Sequence, residues 1–270
     1  MQSPTLLLSG KIALITGGAR GIGKTIARVL GESGATVIIC DINQEKGRKT
    51  TEDLKSVGIT TEFIHCDLAK KGEAQKLVVK TIKKFGHLDI LVNNARSGKR
   101  LALIEETEMS WDDTFSVTLK AAFFASQTAI QYMRKSGGSI VNISSVEARL
   151  AGFDSPSYQI AKAGLEQMTR YFAVQGGKYN IRVNAVTPGF IVQDEHLKKY
   201  AEKNNTRYQK IAAYCHPGGN IGSSTDIANA VLFLCSPLSK FITGQCLTVD
   251  GGLTIQEQSQ LIYGFDKSSL

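Results

Sequence analysis

The sequence predicts an α/β fold: a Rossmann-type, doubly wound, mainly seven-stranded parallel sheet with helices on both faces. Three observations carry this. Strand-length apolar runs recur along the 270 residues, stretches of helical periodicity separate them, and the first run leads straight into a glycine-rich turn. Parallel strands covered on both faces must be apolar throughout, and these runs show no polar alternation. Alternating strands and helices with right-handed crossovers build such a sheet.

In chain order the predicted strands are Ile12–Thr16, Thr36–Cys40, Glu62–Cys66, Ile90–Asn93, Ser139–Ser144, Arg182–Thr187 and Cys246–Val249. Helical periodicity marks Ile22–Glu32, Ala74–Phe85, Trp111–Arg134, Ser157–Gly177 and Thr225–Cys235 between them. No internal repeat, low-complexity tract or linker divides the chain, so a single domain over 1–270 is expected. Residues 190–223 break the rhythm. They are polar, include His216-Pro217-Gly218-Gly219, and follow a strand. Long insertions there are expected to be lids or substrate loops.

Composition narrows the function classes. Hydrophobic residues make up 42%, enough for a sizeable core, but no apolar run is long enough to span a membrane. The first ten residues lack the basic start and apolar run of a signal peptide, so a soluble cytoplasmic protein is expected. The five cysteines have neither metal-type spacing nor the pattern of a disulfide framework, and no metal is expected. The formal charge is +8. Its lysines lie in amphipathic segments such as 70–84 and 198–210, interleaved with Glu and Gln, as on solvated helix faces. Nucleic acid is therefore not the expected partner, while a basic funnel for anionic ligands stays open.

The first strand ends in Thr16-Gly17-Gly18-Ala19-Arg20-Gly21-Ile22-Gly23. Glycines let backbone approach a pyrophosphate, and the helix that follows offers free amides and a partial positive charge. Asp41 ends the second strand, where a carboxylate can accept both hydroxyls of an adenosine ribose and repel a 2′-phosphate. A helix cap or a turn before Asn43 is the lesser alternative. Arg20 could grip a 2′-phosphate, but Ile42 and Asn43 add no second base, so NAD is favoured over NADP. Tyr158 and Lys162, four apart on a predicted helix, share one face. A nearby ammonium favours the phenolate. Ser144 and Ser145 end the preceding strand at the same sheet edge.

Together these residues resemble the short-chain dehydrogenase/reductase family in its common, non-extended form. The resemblance covers nearly the whole length. It includes Thr16–Gly23, Cys66-Asp67-Leu68, Leu88-Asp-Ile-Leu-Val-Asn-Asn-Ala95, Ser145 with Tyr158 and Lys162, Arg182–Gly189 and Gly244–Gly252. It implies an oxidoreductase that interconverts an alcohol and a carbonyl by hydride transfer. Tyr158 would be the general acid and base, Lys162 would lower its pKa and hold the nicotinamide ribose, and Ser145 would bond the substrate oxygen. Asp67 and Leu68 would flank the adenine, Asn93 would support the cofactor site, and Pro188 and Gly189 would border the nicotinamide, with Ile42, Ala95 and Ile191 also expected at the cofactor. Equivalent helices pair between subunits in the family, so a homotetramer is expected, and Phe115, Phe123, Phe124, Met168, Tyr171 and Phe172 are surplus apolar residues for it.

Three positions depart from the family pattern. Thr118 replaces the Asn of a proton relay, Arg96 replaces the Gly of N-N-A-G, and Gln193 stands where many members have Thr. An altered pocket on a working enzyme is the reading, with a dinucleotide-binding regulatory or scaffold protein as the alternative. Arg96, Glu147, Arg149, Gln193 and His196 are the candidate substrate contacts. Arg96, Lys99, Arg100 and Arg149 would favour an anionic substrate.

Overall fold

The seven strands form one parallel sheet, and the order in which they lie creates the site. They are β1 (Ile12–Thr16), β2 (Thr36–Asp41), β3 (Thr61–His65), β4 (Ile90–Asn93), β5 (Gly138–Ile143), β6 (Ile181–Pro188) and β9 (Cys246–Val249). The sheet runs β3-β2-β1-β4-β5-β6-β9, every pair parallel. The chain winds outward one way from β1 and the other way from β4. A crevice opens at such a reversal, above the carboxyl ends of the two strands. The computed structural model describes residues 7–257 except 99, 154, 203 and 204, together with Ser259 and Leu261.

Successive strand residues enter opposite layers, as a period of two requires. Leu14, Ile38, Leu91 and Ile140 pack with α3 (Glu73–Phe85), α5 (Ala121–Met133) and α6 (Pro156–Gly177). Ala13, Ile15, Val37, Val92 and Val141 pack with α1 (Gly21–Glu32) and α9 (Ser224–Cys235). Both faces are thus covered. All five cysteines are free thiols, and no described helix is long and apolar enough to cross a membrane.

Three elements differ from the sequence reading. The helix α2 (Gln44–Ser56) has almost no apolar periodicity, because Leu54 is its one buried large apolar side chain. It docks instead through Gly47, where an added Cβ would lie 2.1 Å from the Phe63 ring. The predicted helix Trp111–Arg134 begins earlier, as α4 (Glu108–Phe115), capped by Thr107 and Ser110. It then passes through a π-helical turn, Ser116–Lys120, before α5. The 190–223 excursion contains regular elements among its described residues. Two short parallel strands, β7 (Ile191–Val192) and β8 (Gly222–Ser223), close a neck from which α7 (Leu197–Tyr200) and α8 (Thr206–Tyr214) project.

Asn94 locks the crevice. Its Nδ2 donates to the carbonyls of Thr16 and Gly17, 2.9 Å each, while the Asn94 and Ala95 amides donate to Thr16 Oγ1 at 3.0 and 3.1 Å. The ends of β1 and β4 are thereby fixed to one another. Asn94→Ala should lower the unfolding free energy by about 1–3 kcal/mol, as the loss of two part-buried bonds does; urea denaturation measures it.

Candidate active site

A cleft of about 1320 Å³ lies along the carboxyl edge of the sheet. One end is the glycine turn. Gly17 has φ +65°, and a Cβ there would lie 2.9 Å from Ala95 Cα; at Gly23 it would lie 2.2 Å from the Gly17 carbonyl oxygen. Side chains would fill this cradle or break it. Arg20 precedes α1 without capping it. The amide of Gly21 instead donates to Glu195 Oε2 at 3.1 Å. A carboxylate therefore already sits at the helix N-terminus, which is the chemistry an anion-binding turn accepts.

Asp41 lies beside that turn. Its Oδ2 accepts the Ala19 amide at 3.2 Å and its Oδ1 the Asn43 amide at 2.9 Å. Asn43, not Asp41, caps α2, so the carboxylate faces the cleft rather than serving the helix. Ile42, Asp67 and Leu68 continue the same end.

The opposite wall holds the candidate catalytic residues. After Ser155, whose φ is +60°, Pro156 opens α6 and places Tyr158 and Lys162 on its inner face. Tyr158 is 7% and Lys162 2% exposed. Lys162 Nζ lies 5.5 Å from the Tyr158 ring centre and donates to the Ile143 carbonyl. Ser145 follows β5 in extended conformation, accepting the Glu147 amide at 3.2 Å. Arg100 Cζ is 5.1 Å from the centre of the Tyr158 ring.

Burial pushes the Tyr158 phenol above its usual value; the Ser145 hydroxyl, Arg96 and Arg100 oppose this, and Glu147 reinforces it. Burial, then the Arg96 charge, pushes Lys162 down to about 7. The cations that lower the Tyr158 phenol in this arrangement are Arg96 and Arg100.

Most of the expected residues converge. Gly17, Arg20, Gly21, Ile22, Gly23, Asp41, Ile42, Asp67, Leu68, Ala95, Pro188, Gly189 and Ile191 line the cleft with Ser145, Tyr158 and Lys162. Arg96, Glu147 and His196 line it too. Thr16 and Asn93 lie beneath it; Asn93 Nδ2 donates to Ser126 and Asn142, so both hold the floor rather than a ligand.

Three residues do not fit the expectation. Thr118 is 1% exposed in the π-helical turn, with Oγ1 accepting the Ser97 amide at 3.5 Å, outside the cleft. Gln193 lines the cleft but at the phosphate end: its Oε1 lies 2.6 Å from where a Gly21 Cβ would be. Arg149 turns away, with Nε donating to Glu166 Oε2 at 3.0 Å and Nη1 to Thr248 Oγ1 at 3.3 Å. Glu166 is 4% exposed and needs that cation. Lys99 lies outside the described residues. Sequence reasoning gave no role to Glu166 or Asn94. Both were signalled: Glu166 stands four residues after Lys162 on the same helix face, and Asn94 follows Asn93 in a matched motif. Among the described residues no His, Cys, Asp and Glu cluster could hold a metal.

Comparison with known proteins agrees with this architecture. A family model described as Enoyl-(Acyl carrier protein) reductase matches residues 17–254. An uncharacterized oxidoreductase of Thermotoga maritima is 42% identical over 91% of this chain and 98% of its own. The (2S)-[(R)-hydroxy(phenyl)methyl]succinyl-CoA dehydrogenase subunit BbsD of Thauera aromatica is 39% identical over 92% and 98%. A putative short-chain alcohol dehydrogenase from Sinorhizobium meliloti superposes with TM-score 0.86 and 32% identity, covering 94% of this chain and all of that one.

Arg149→Ala would leave the buried Glu166 carboxylate uncompensated. Because Arg149 is itself half exposed, the expected loss is about 1–3 kcal/mol, read as a lower midpoint in urea.

Proposed function

Because the chain is an oxidoreductase belonging to the short-chain dehydrogenase/reductase family, we propose that it interconverts an alcohol and a carbonyl compound with NAD(H), using Tyr158 as the proton-transfer group. The observation that carries this is the approach of Tyr158, Ser145 and Lys162 on one wall of the cleft that also contains the glycine turn. Members of the family bind a nicotinamide dinucleotide, and this cleft suits one. The glycine cradle and the α1 N-terminus would hold its phosphates, Asp41 its adenosine ribose, and Lys162 its nicotinamide ribose. The dinucleotide supplies the hydride acceptor for oxidation and the hydride donor for reduction.

In the oxidation direction Ser145 donates a hydrogen bond to the substrate oxygen while Tyr158, as phenolate, takes its proton. The carbinol carbon gives up the hydride and becomes a carbonyl carbon. In reduction the Tyr158 phenol returns the proton to the oxygen. Arg96 and Arg100 favour the phenolate at the moment it forms. The Thauera relative is named as a dehydrogenase of a hydroxy compound, which supports the same reaction here.

Asp41 favours NAD over NADP, since a 2′-phosphate would meet a carboxylate. Assembly as a homotetramer is part of the reading. Of the apolar residues expected to drive it, Met168 and Phe172 are buried and Phe123 packs on Phe172 at 5.0 Å, so these three belong to the core. The exposed apolar face of α6 consists of the expected Tyr171 with Ile160 and Val174, and Tyr132 is exposed on α5.

Tyr158→Phe should reduce NADH formation from secondary alcohols by about 10²–10⁴-fold with NAD affinity nearly kept; full turnover in that variant would remove Tyr158 from the proton transfer, and NAD binding without any turnover by the parent would leave a dinucleotide-binding scaffold as the better reading. Asp41→Ala should narrow the preference for NAD over NADP, measured by fluorescence titration. Light scattering at micromolar concentration should give four times the chain mass, and a monomeric mass would overturn the assembly.

A further inference from the structure

We propose that Arg96 and Arg100 select a substrate carrying a carboxylate close to the reacting carbon, so that the enzyme converts a hydroxy acid to an oxo acid and back. This rests on the alcohol–carbonyl reading above and names its substrate class.

Both arginines lie after β4 on the segment whose Ala95 packs on Gly17. Arg96 is exposed into the cleft. Its Nη1 donates to the Ser97 carbonyl at 3.1 Å, and among the described residues it forms no ion pair. Arg100 is also exposed and stands 5.1 Å from the Tyr158 ring. Its nearest carboxylate oxygen, Glu147 Oε1, is 3.9 Å away, too far for a hydrogen bond. The remaining nearby arginine, Arg149, is committed to Glu166. Two guanidiniums with unused donors therefore act on the proton-transfer group, and Glu147 opposes them.

Cofactor phosphates are the competing anion. They are provided for elsewhere, by the α1 amides and Arg20. Among the charges that act on Arg96, Tyr158 outweighs Arg20, which puts the guanidinium at the reaction end of the cleft. A carboxylate presents two oxygens in one plane, the geometry a guanidinium binds in bidentate fashion. Like-signed cations at the mouth also concentrate an anion before it docks. A neutral analogue would leave the donors unpaired, so the site discriminates against it. The substrate named for the Thauera relative is a hydroxy compound on a succinyl skeleton, an anionic alcohol of this general kind.

The test is steady-state oxidation with NAD of lactate and 3-hydroxybutyrate, their methyl esters, and glycerol 3-phosphate, by the parent, Arg96→Gln and Arg100→Gln. The expected result is a preference of about tenfold or more in kcat/KM for a carboxylate over its ester. Each substitution should raise KM for the carboxylate about tenfold, with KM for the ester and for NAD nearly unchanged. Because both arginines also act on the Tyr158 phenol, kcat falls for acid and ester alike; the test is the acid-to-ester ratio of KM, and an unchanged urea midpoint shows that the variants fold. A preference that survives both substitutions, a rise in KM for NAD instead, or faster turnover of glycerol 3-phosphate would each overturn the proposal. Equilibrium dialysis with malonate separates the two readings. Binding lost in Arg96→Gln, with no alcohol oxidised by the parent, would uphold the anion site and remove the redox reading. Equal turnover of acid and ester would do the reverse.

Discussion

An ammonium buried beneath a phenol, in a cleft already lined by guanidiniums, is the constraint on which the site depends. Lys162 is nearly inaccessible, is anchored to the Ile143 carbonyl, and lies near Arg96. In a medium of low polarity such cations raise one another's cost. Loss of the Tyr158 proton places a negative charge among them and relieves it. The same arrangement that makes a resting phenol hard to ionise thus makes a phenolate, once formed at the reacting oxygen, well matched to its surroundings. Ser145 and the two arginines all favour the ionised phenol.

The fold supplies this arrangement by rigid means. The reversal between β1 and β4 opens the crevice, and Asn94 ties the two strand ends together. On the far wall, Glu166 accepts from Ser144, Thr187 and Arg149, joining α6 to β5, β6 and the segment after Ser145. Tyr158 and Lys162 therefore stand on a helix braced at its inner face. Glu195 adds a different element. By bonding the Gly21 amide, it places a carboxylate of the 190–223 segment where the turn receives anions, so that segment and any phosphate compete for the same donors.

The parallel sheet was legible because its strands are apolar on both faces, which is a local property. β1, β4 and β9 match the expected ranges to the residue. Where docking depends on a neighbour, the signal vanished: α2 packs by the absence of a side chain at Gly47, invisible until Phe63 is beside it. The π-helical turn at Thr118 has no periodic mark of its own. At the site, motif spacing placed Tyr158, Lys162, Ser145 and Asp41 in one cleft. It could not tell that Arg149 would turn to Glu166 while Arg96 and Arg100 stayed in the cleft, since long side chains choose among partners set by tertiary structure. Nor could spacing show that Arg96 and Arg100 act on the phenol, since their approach is set by tertiary structure.

The most direct test of this electrostatic account is a carbon-13 NMR titration of the cofactor-free protein with labelled lysine, the Lys162 resonance being assigned by its loss in Lys162→Met. The account predicts a midpoint near 7, far below the solvated lysines. A midpoint with the other lysines, close to 10.4, would contradict it, for Lys162 would then be an ordinary ammonium and the cations around Tyr158 would not be in competition.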